Sequence, residues 1–365
     1  MMLSPAEAMR LGRRRFLQAG ASLGALSLAG GVAACGDDAD AHLASSSAGS
    51  PTEPGGTSSA PSSERASAGE VTSASRYWYI AIIADSHMID EYYEGPESNE
   101  LDTQSILQAN ERFVLVRDFL NSLEPRLEAV FHLGDLIHTY PSTEEAFFVQ
   151  NRTSLDIARE AIDGFEVPFR FLMGNHDYFV PRAPREFTHE LFAEKFENWQ
   201  PYHSVDLHGW KFISLNNYLG HTWDASDGSY EKDVGSFGEE QLQWLEAQLQ
   251  EGKPSFVFLH HPHNMNDHGE FGEDFSFRGL MRTYRDTVAM TMSGHWHRWF
   301  DLRIPRGPEN WLIGSTRYDE DAFVIVEFDR ESPSWRFVNQ ASWNLYSHIT
   351  DRWEPVVDDE GRFQG

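Results

Sequence analysis

Gly174-Asn175-His176-Asp177 closes an apolar run that begins at Pro168 and passes through Phe169, Phe171, Leu172 and Met173. Amide, imidazole and carboxylate groups in succession do not join an apolar core. Together they can ligate a cation and move a proton. The same ending recurs four times. Residues 79–84 (YIAIIA) run into Asp85-Ser86-His87, and residues 127–133 (LEAVFHL) into Gly134-Asp135. Residues 255–259 (SFVFL) run into His260-His261-Pro262, and residues 287–292 (TVAMTM) into Ser293-Gly294-His295-Trp296-His297. Each run reads as a buried strand. In open α/β sheets, ligands bind at the carboxyl ends of strands. Five strand ends delivering Asp, Asn and His imply one shared metal site.

Divalent metals of the zinc, manganese and iron type accept imidazole and carboxylate ligands. A carboxylate can bridge two ions, and an amide oxygen such as that of Asn175 can be a neutral ligand. Ions about 3.5–4 Å apart clamp a phosphoryl group and bring the pKa of bound water toward about 7, supplying a nucleophile for in-line attack. Each residue alone has an ordinary explanation. Asp85 and Asp135 could be turn or helix-cap residues, His260 or His261 a satisfied core histidine, and His295 and His297 a polar edge. Their agreement at five strand ends favours the metal site. His138, His221, His261, His263 and His268 lack that support and are read as surface groups or neighbours of ligands.

Helices must lie between these strands. Residues 103–123 place Ile106, Leu107, Phe113, Val114, Val116 and Leu120 at helical spacing, and Pro125 stops them. Residues 142–162 read as one helix, with Ser142 or Thr143 as its cap, and residues 188–199 as another. Alternation of strand and helix argues a parallel, layered sheet. Residues 202–207 and 210–215 flank His208-Gly209 and predict a hairpin. Residues 216–235 read as a long surface loop near the site, in which Asn216-Asn217-Tyr218 and His221-Thr222-Trp223 would wall a pocket with residues 264–277. Residues 237–249 predict a helix with Leu242, Leu245 and Leu249 on one face, and 262–286 a second long loop or short helix. Four strand-like pieces follow at 299–304, 311–313, 323–328 and 335–338.

The chain has 365 residues, 40% of them hydrophobic, which is enough for a sizeable core. A formal net charge of −28 argues against phosphate-mediated nucleic-acid binding. Residues 1–34 read as an export signal: Arg13-Arg14-Arg15-Phe16-Leu17 precedes an apolar, small-residue stretch and resembles a twin-arginine signal. Val32-Ala33-Ala34-Cys35 resembles a lipobox, which implies acylation of Cys35 and a lipid anchor in a bacterial envelope. The alternatives are a retained transmembrane anchor, disfavoured by the Gly, Ala and Ser content, and simple cleavage leaving a free Cys. Cys35 is the only cysteine, so the exported domain has no intrachain disulfide. Residues 35–75 read as a flexible Ser/Ala/Gly-rich tether, 76–351 as the folded domain and 352–365 as a loose acidic tail.

Asp85-x-His87, Gly134-Asp135, Gly174-Asn175-His176-Asp177, His260-x-Pro262 and Gly294-His295-x-His297 resemble, in order, the five signature blocks of the calcineurin-like metallophosphoesterases. The resemblance implies an α/β fold of two facing mixed β-sheets flanked by helices. It implies that Asp85, His87 and His297 hold one metal ion, that Asn175, His260 and His295 hold a second, and that Asp135 bridges them. His176 would face the substrate and protonate the leaving oxygen, with Asp177 orienting it. Purple acid phosphatases carry a Tyr ligand three residues after the bridging Asp. Here that position is His138, which argues against a ferric–tyrosinate centre and leaves zinc, manganese or ferrous iron.

The expectation is therefore a dinuclear phosphoesterase acting on a small-molecule phosphate ester, either a phosphodiester or a phosphomonoester. Its rivals are a non-catalytic metal-binding scaffold and a non-phosphate hydrolase such as an amidase. The amidase leaves the Gly-Asn-His-Asp block unexplained.

Overall fold

The computed structural model describes residues 75–365 apart from positions 227 and 229. The paired arginines, the apolar segment, Cys35 and the tether lie outside the described residues. No described helix is long and apolar enough to cross a membrane.

Two sheets form the centre. The first has five strands: β1 (Tyr77–Ile83), β2 (Leu127–His132), β3 (Phe169–Phe171), β10 (Val324–Asp329) and β11 (Trp335–Phe337), in the order β11-β10-β1-β2-β3. β1, β2 and β3 are parallel, and β10 returns antiparallel to β1. The second has six: β4 (His203–Leu207), β5 (Trp210–Ser214), β6 (Ser255–Leu259), β7 (Val288–Ser293), β8 (Phe300–Asp301) and β9 (Glu309–Leu312), in the order β4-β5-β6-β7-β9-β8. β5, β6, β7 and β9 are parallel.

Alternation along β1 shows how these layers stack. Trp78, Ile80 and Ile82 point into a buried layer shared with Phe212, Phe256, Phe258, Met290 and Met292 of the second sheet. Tyr79, Ala81 and Ile83 point the other way, against Phe113, Val116 and Leu120. Those three belong to the helix α2 (Ala109–Asn121), which follows α1 (Glu100–Leu107). The far face of the second sheet buries Ile213, Val257 and Leu259 against Leu242, Leu245 and Leu249. The order is helix, sheet, sheet, helix. Aromatic rings fill the inter-sheet layer: Phe131 stacks on Phe212 with centroids 5.1 Å apart, across the two sheets.

The remaining helices are α3 (Glu145–Gln150), α4 (Ser154–Ile162), α5 (Arg185–Lys195), α6 (Glu239–Gln250) and α7 (Phe277–Thr283). Three expectations are corrected here. Residues 103–123 are two helices, with Gln108 between them. Residues 142–162 are also two, because Thr153 and Asp156 form a capping box that starts a new helix. The strand before Gly174 is a three-residue edge strand whose Arg170 is exposed, and not a buried central strand. The hairpin at His208-Gly209 is present, with both turn residues at positive φ (48° and 86°), the geometry of a type I′ turn.

The tail is not loose. β12 (Val356–Val357) and β13 (Phe363–Gln364) pair, and Phe363 is buried against Tyr79. Arg362 and Arg336 both donate to Glu327, a buried carboxylate on β10, so the tail is tied to the first sheet.

Candidate metal centre

The carboxyl ends of β1, β2, β3, β6 and β7 meet on one side of the two sheets. Asp85, His87, Asp135 and His297 bring ligand atoms within 4.8 Å of one another, and so do Asp135, His260 and His295. Asp135 belongs to both groups. His87 Nε2 lies 3.4 Å from Asp135 Oδ2, and His260 Nε2 lies 3.1 Å from that same oxygen. Asn175 Oδ1 lies 3.1 Å from His260 Nε2 and 3.0 Å from His295 Nδ1. His297 Nε2 is 3.0 Å from His87 Nε2 and 3.4 Å from Asp85 Oδ1. All seven residues singled out as ligands are thus gathered in one place.

Local backbone explains how short turns deliver so many groups. Nine described non-glycine residues have positive φ, and five of them are Asp85, His87, Asp135, His295 and His297. Such conformations are strained for L-residues and cluster at functional sites. Close approach does the rest. A Cβ on Gly174 would come within 2.2 Å of Asp135 Oδ1, so only glycine lets the β3 turn reach the β2 turn. The turns are also tied directly. Asp85 N–H donates to Gly134 O at 3.0 Å and His87 N–H to Asp135 O at 2.9 Å. His295 N–H donates to Asp85 Oδ1 at 2.9 Å.

Asp85, His87, Asp135 and His260 form a buried floor, whereas Asn175, His176, His295 and His297 are partly exposed at a rim. Burial pushes the imidazoles of His87, His295 and His297 well below their usual pKa, so each favours the neutral ring, with one N–H and one bare nitrogen. Burial also pushes the Asp85 carboxyl up. Asp135 is pushed the same way by burial, but neighbouring His260, His176 and His87 outweigh that and hold it well below the carboxylate range. His260 shows the converse: burial lowers it, and Asp135 and Asp85 raise it to about 9. Two carboxylates, one amide oxygen and four imidazoles converge between the buried floor and the partly exposed rim. This donor set fits hard-to-borderline divalent cations.

His176 and Asp177 take different places. His176 Nδ1–H donates to His138 O at 2.7 Å, and its ring stacks on that of His138 at 5.0 Å. Asp177 does not orient His176. Its carboxylate turns inward and accepts from Gly174 N at 2.8 Å and Ile137 N at 3.0 Å, locking the β3 turn onto the β2 turn. Nearness in sequence suggested a partner, but adjacent residues in a turn diverge.

Two residues have larger parts than their sequence context indicated. Asn217 is fully buried and does not wall a pocket. Its Oδ1 accepts from His260 N at 2.9 Å and from His261 N at 3.2 Å, clamping the β6 turn. His261 is fully buried, with its ring 4.2 Å from that of His295. Asn216-Asn217 at a strand end was the available signal for the clamp. Residues 216–223 are correspondingly not a surface loop, since Tyr218 and Trp223 are both buried.

A sequence profile for the calcineurin-like phosphoesterases matches residues 79–299, more than half of the chain and all of the residues gathered above. The chain belongs to the calcineurin-like phosphoesterase family. A protein of Arcobacter nitrofigilis described as "Probable glycerophosphodiester phosphodiesterase" is 24% identical over 224 residues, spanning 57% of this chain and 73% of that relative. A dimetal phosphatase from Danio rerio has a similar fold, with a TM-score of 0.50 at 17% identity, covering 68% of this chain and 92% of that one. A purple acid phosphatase from Lupinus luteus covers 74% of this chain and 53% of its own, at 15% identity and a TM-score of 0.44. The protein is a hydrolase acting on phosphoric ester bonds, with two facing mixed sheets flanked by helices.

Proposed function

We propose that this chain is a dinuclear-metal phosphoesterase that hydrolyses phosphodiesters in preference to phosphomonoesters. Asp85, His87 and His297 would hold one ion, and Asn175, His260 and His295 would hold the other. Asp135, which belongs to both groups, would be shared between them. The observation that carries this reading is the placement of Asp135 Oδ2 3.4 Å from His87 Nε2 and 3.1 Å from His260 Nε2. Two divalent ions held there would supply polarisation of a phosphoryl group and a water made nucleophilic near neutral pH. The metals are zinc, manganese or ferrous iron, because His138 stands where a tyrosinate ligand to ferric iron would.

The chain's own groups supply the rest. Asn217 and Asp177 hold the strand-end turns, so the ligands are ordered before substrate arrives. With Nδ1–H on the His138 carbonyl, His176 keeps Nε2 for proton exchange at the rim. Once Nε2 has also taken up a proton, the imidazolium there stabilises developing charge and gives that proton to the departing oxygen, returning to the neutral ring. Preference for a diester is supported by the activity in the name of the Arcobacter relative.

Assaying the metal-loaded protein on bis-nitrophenyl phosphate and nitrophenyl phosphate tests this. Higher kcat/KM on the diester is expected. A higher value on the monoester reverses the preference, and no hydrolysis of either with zinc, manganese or iron removes the catalytic reading.

A further inference from the structure

His138 lies against a ligand and reaches away from it to a carboxylate that belongs to none of the five strand ends. His138 Nδ1 is 3.2 Å from His87 Nδ1, and His138 Nε2 is 3.2 Å from Glu97 Oε1. Tyr93 Oη–H donates to the same Glu97 oxygen at 2.6 Å, and Glu97 N–H donates to Thr103 Oγ1 at 3.0 Å. Glu97 is therefore fixed from three sides, in the segment before α1. At the other end, His87 Nε2 faces Asp135 Oδ2 and His297 Nε2.

From this geometry we infer that Glu97 is a positioning residue. Through His138 it fixes the His87 tautomer that has a proton on Nδ1 and a lone pair on Nε2. The inference deepens the metal-centre reading above and rests on it for its consequence, though not for its geometry.

Proton counting carries the argument. Two imidazole nitrogens 3.2 Å apart form a hydrogen bond only if one bears a proton and the other does not. Suppose neutral His138 carries its proton on Nδ1. Its bare Nε2 then faces a carboxylate oxygen, acceptor against acceptor, in a buried place where that is costly. His87 is also left with its proton on Nε2, aimed into the ligand cluster. Suppose instead that His138 carries its proton on Nε2. It then donates to Glu97, its Nδ1 accepts from His87 Nδ1–H, and His87 Nε2 is bare. With two neutral rings, this arrangement alone pairs both nitrogens of His138 and Nδ1 of His87, and it leaves His87 Nε2 bare, 3.0 Å from His297 Nε2, which can donate to it. Both rings are buried, which disfavours an imidazolium at either position. A carboxylate at the end of such a chain also raises the basicity of the ligating nitrogen.

The relay has a further point of leverage. The carbonyl of the same His138 accepts from His176 Nδ1–H, so one residue orders a ligand and the proton donor together.

The test uses the full chain with metal removed by chelation and with histidine labelled with nitrogen-15. Two-bond proton–nitrogen correlation spectra report which ring nitrogen of each histidine is protonated. The His87 signal is identified by its absence in His87→Asn. Wild type is expected to show His87 protonated on Nδ1. Glu97→Ala is expected to move His87 toward a mixture or to Nε2–H. Glu97→Gln, whose amide oxygen can still accept from His138, is expected to keep the wild-type pattern.

Zinc titration then gives the consequence. Glu97→Ala weakens one of two binding steps by about 10–100-fold and leaves the other, while Glu97→Gln recovers most of the loss. An Nε2–H His87 in wild type overturns the inference even if Glu97→Ala fails to fold. So does a Glu97→Ala protein whose His87 tautomer and two zinc steps are unchanged. The expected tautomer in a protein that binds no zinc would instead sink the metal-centre reading and leave the relay standing.

Discussion

The backbone N–H of His176 donates to Oδ1 of Asp135 at 2.8 Å. This bond separates the tasks of the two carboxylate oxygens. Oδ1 holds the β3 turn in place, and Oδ2 is left facing His87 and His260. The His176 side chain is placed by its own backbone and by His138, and the proposed function gives it no ligand role. His176→Ala should therefore keep the fold and both metals while losing acid catalysis, a contribution of about 10²–10⁴-fold. A nitrophenolate leaves without much help from a proton, whereas an alkoxide does not. The loss in kcat/KM should be much larger on alkyl esters than on nitrophenyl esters. Equal losses on the two would assign His176 to charge stabilisation or binding, and loss of metal would make it a ligand.

Glu327 gives a prediction about pH and stability. Burial alone would raise its pKa, but hydrogen bonds from Arg362 and Arg336 outweigh that and hold it below its usual value. A carboxylate depressed in the folded state stabilises the fold above its unfolded pKa, about 4.3, and that contribution is lost as pH falls through the folded value. Both arginines are one-third exposed, which discounts the effect. Glu327→Gln should cost on the order of 2 kcal/mol at pH 7 in urea unfolding. The difference from wild type should shrink as pH falls below 4.3. A difference that is constant from pH 7 to pH 3 would show that the charge is not responsible.

The N-terminal sequence motivates a proposal about location: export in the folded state through the paired arginines, followed by acylation at Cys35. Replacing Arg13 and Arg14 together by Lys should retain the protein in the cytoplasm. Cys35→Ser should abolish lipid attachment and leave activity of the folded region unchanged. Fractionation and mass analysis of the mature N-terminus read both outcomes. A mature chain that starts elsewhere and carries no lipid ends the anchoring proposal.

Much of the site was legible because a strand that stops in Asp, Asn or His breaks its own apolar pattern. The runs ending at Asp85, Asp135, Asn175, His260 and His295 are each such a break, and the fold brings all five together. Glu97 was not legible. It lies in a segment with no periodicity, and its partner His138 is supplied by the loop after β2. Asp177 was misread because adjacency stands in poorly for side-chain direction in a tight turn. The break in residues 142–162 was written locally as Thr153-x-x-Asp156, a second start signal inside a stretch read from its first cap at Ser142 or Thr143. The tail was read from its charge. Its order comes from Phe363 meeting Tyr79 and Arg362 meeting Glu327, contacts made with distant strands that composition cannot register.

The central claim is that Asp135 would serve two ions. Metal content by atomic spectroscopy, on wild type, Asp135→Ala and His87→Ala purified with zinc or manganese, tests it most directly. Wild type should hold two equivalents, His87→Ala about one, and Asp135→Ala less than one, with circular dichroism showing all three folded. Two equivalents retained by folded Asp135→Ala at wild-type affinity would contradict the shared-ligand account.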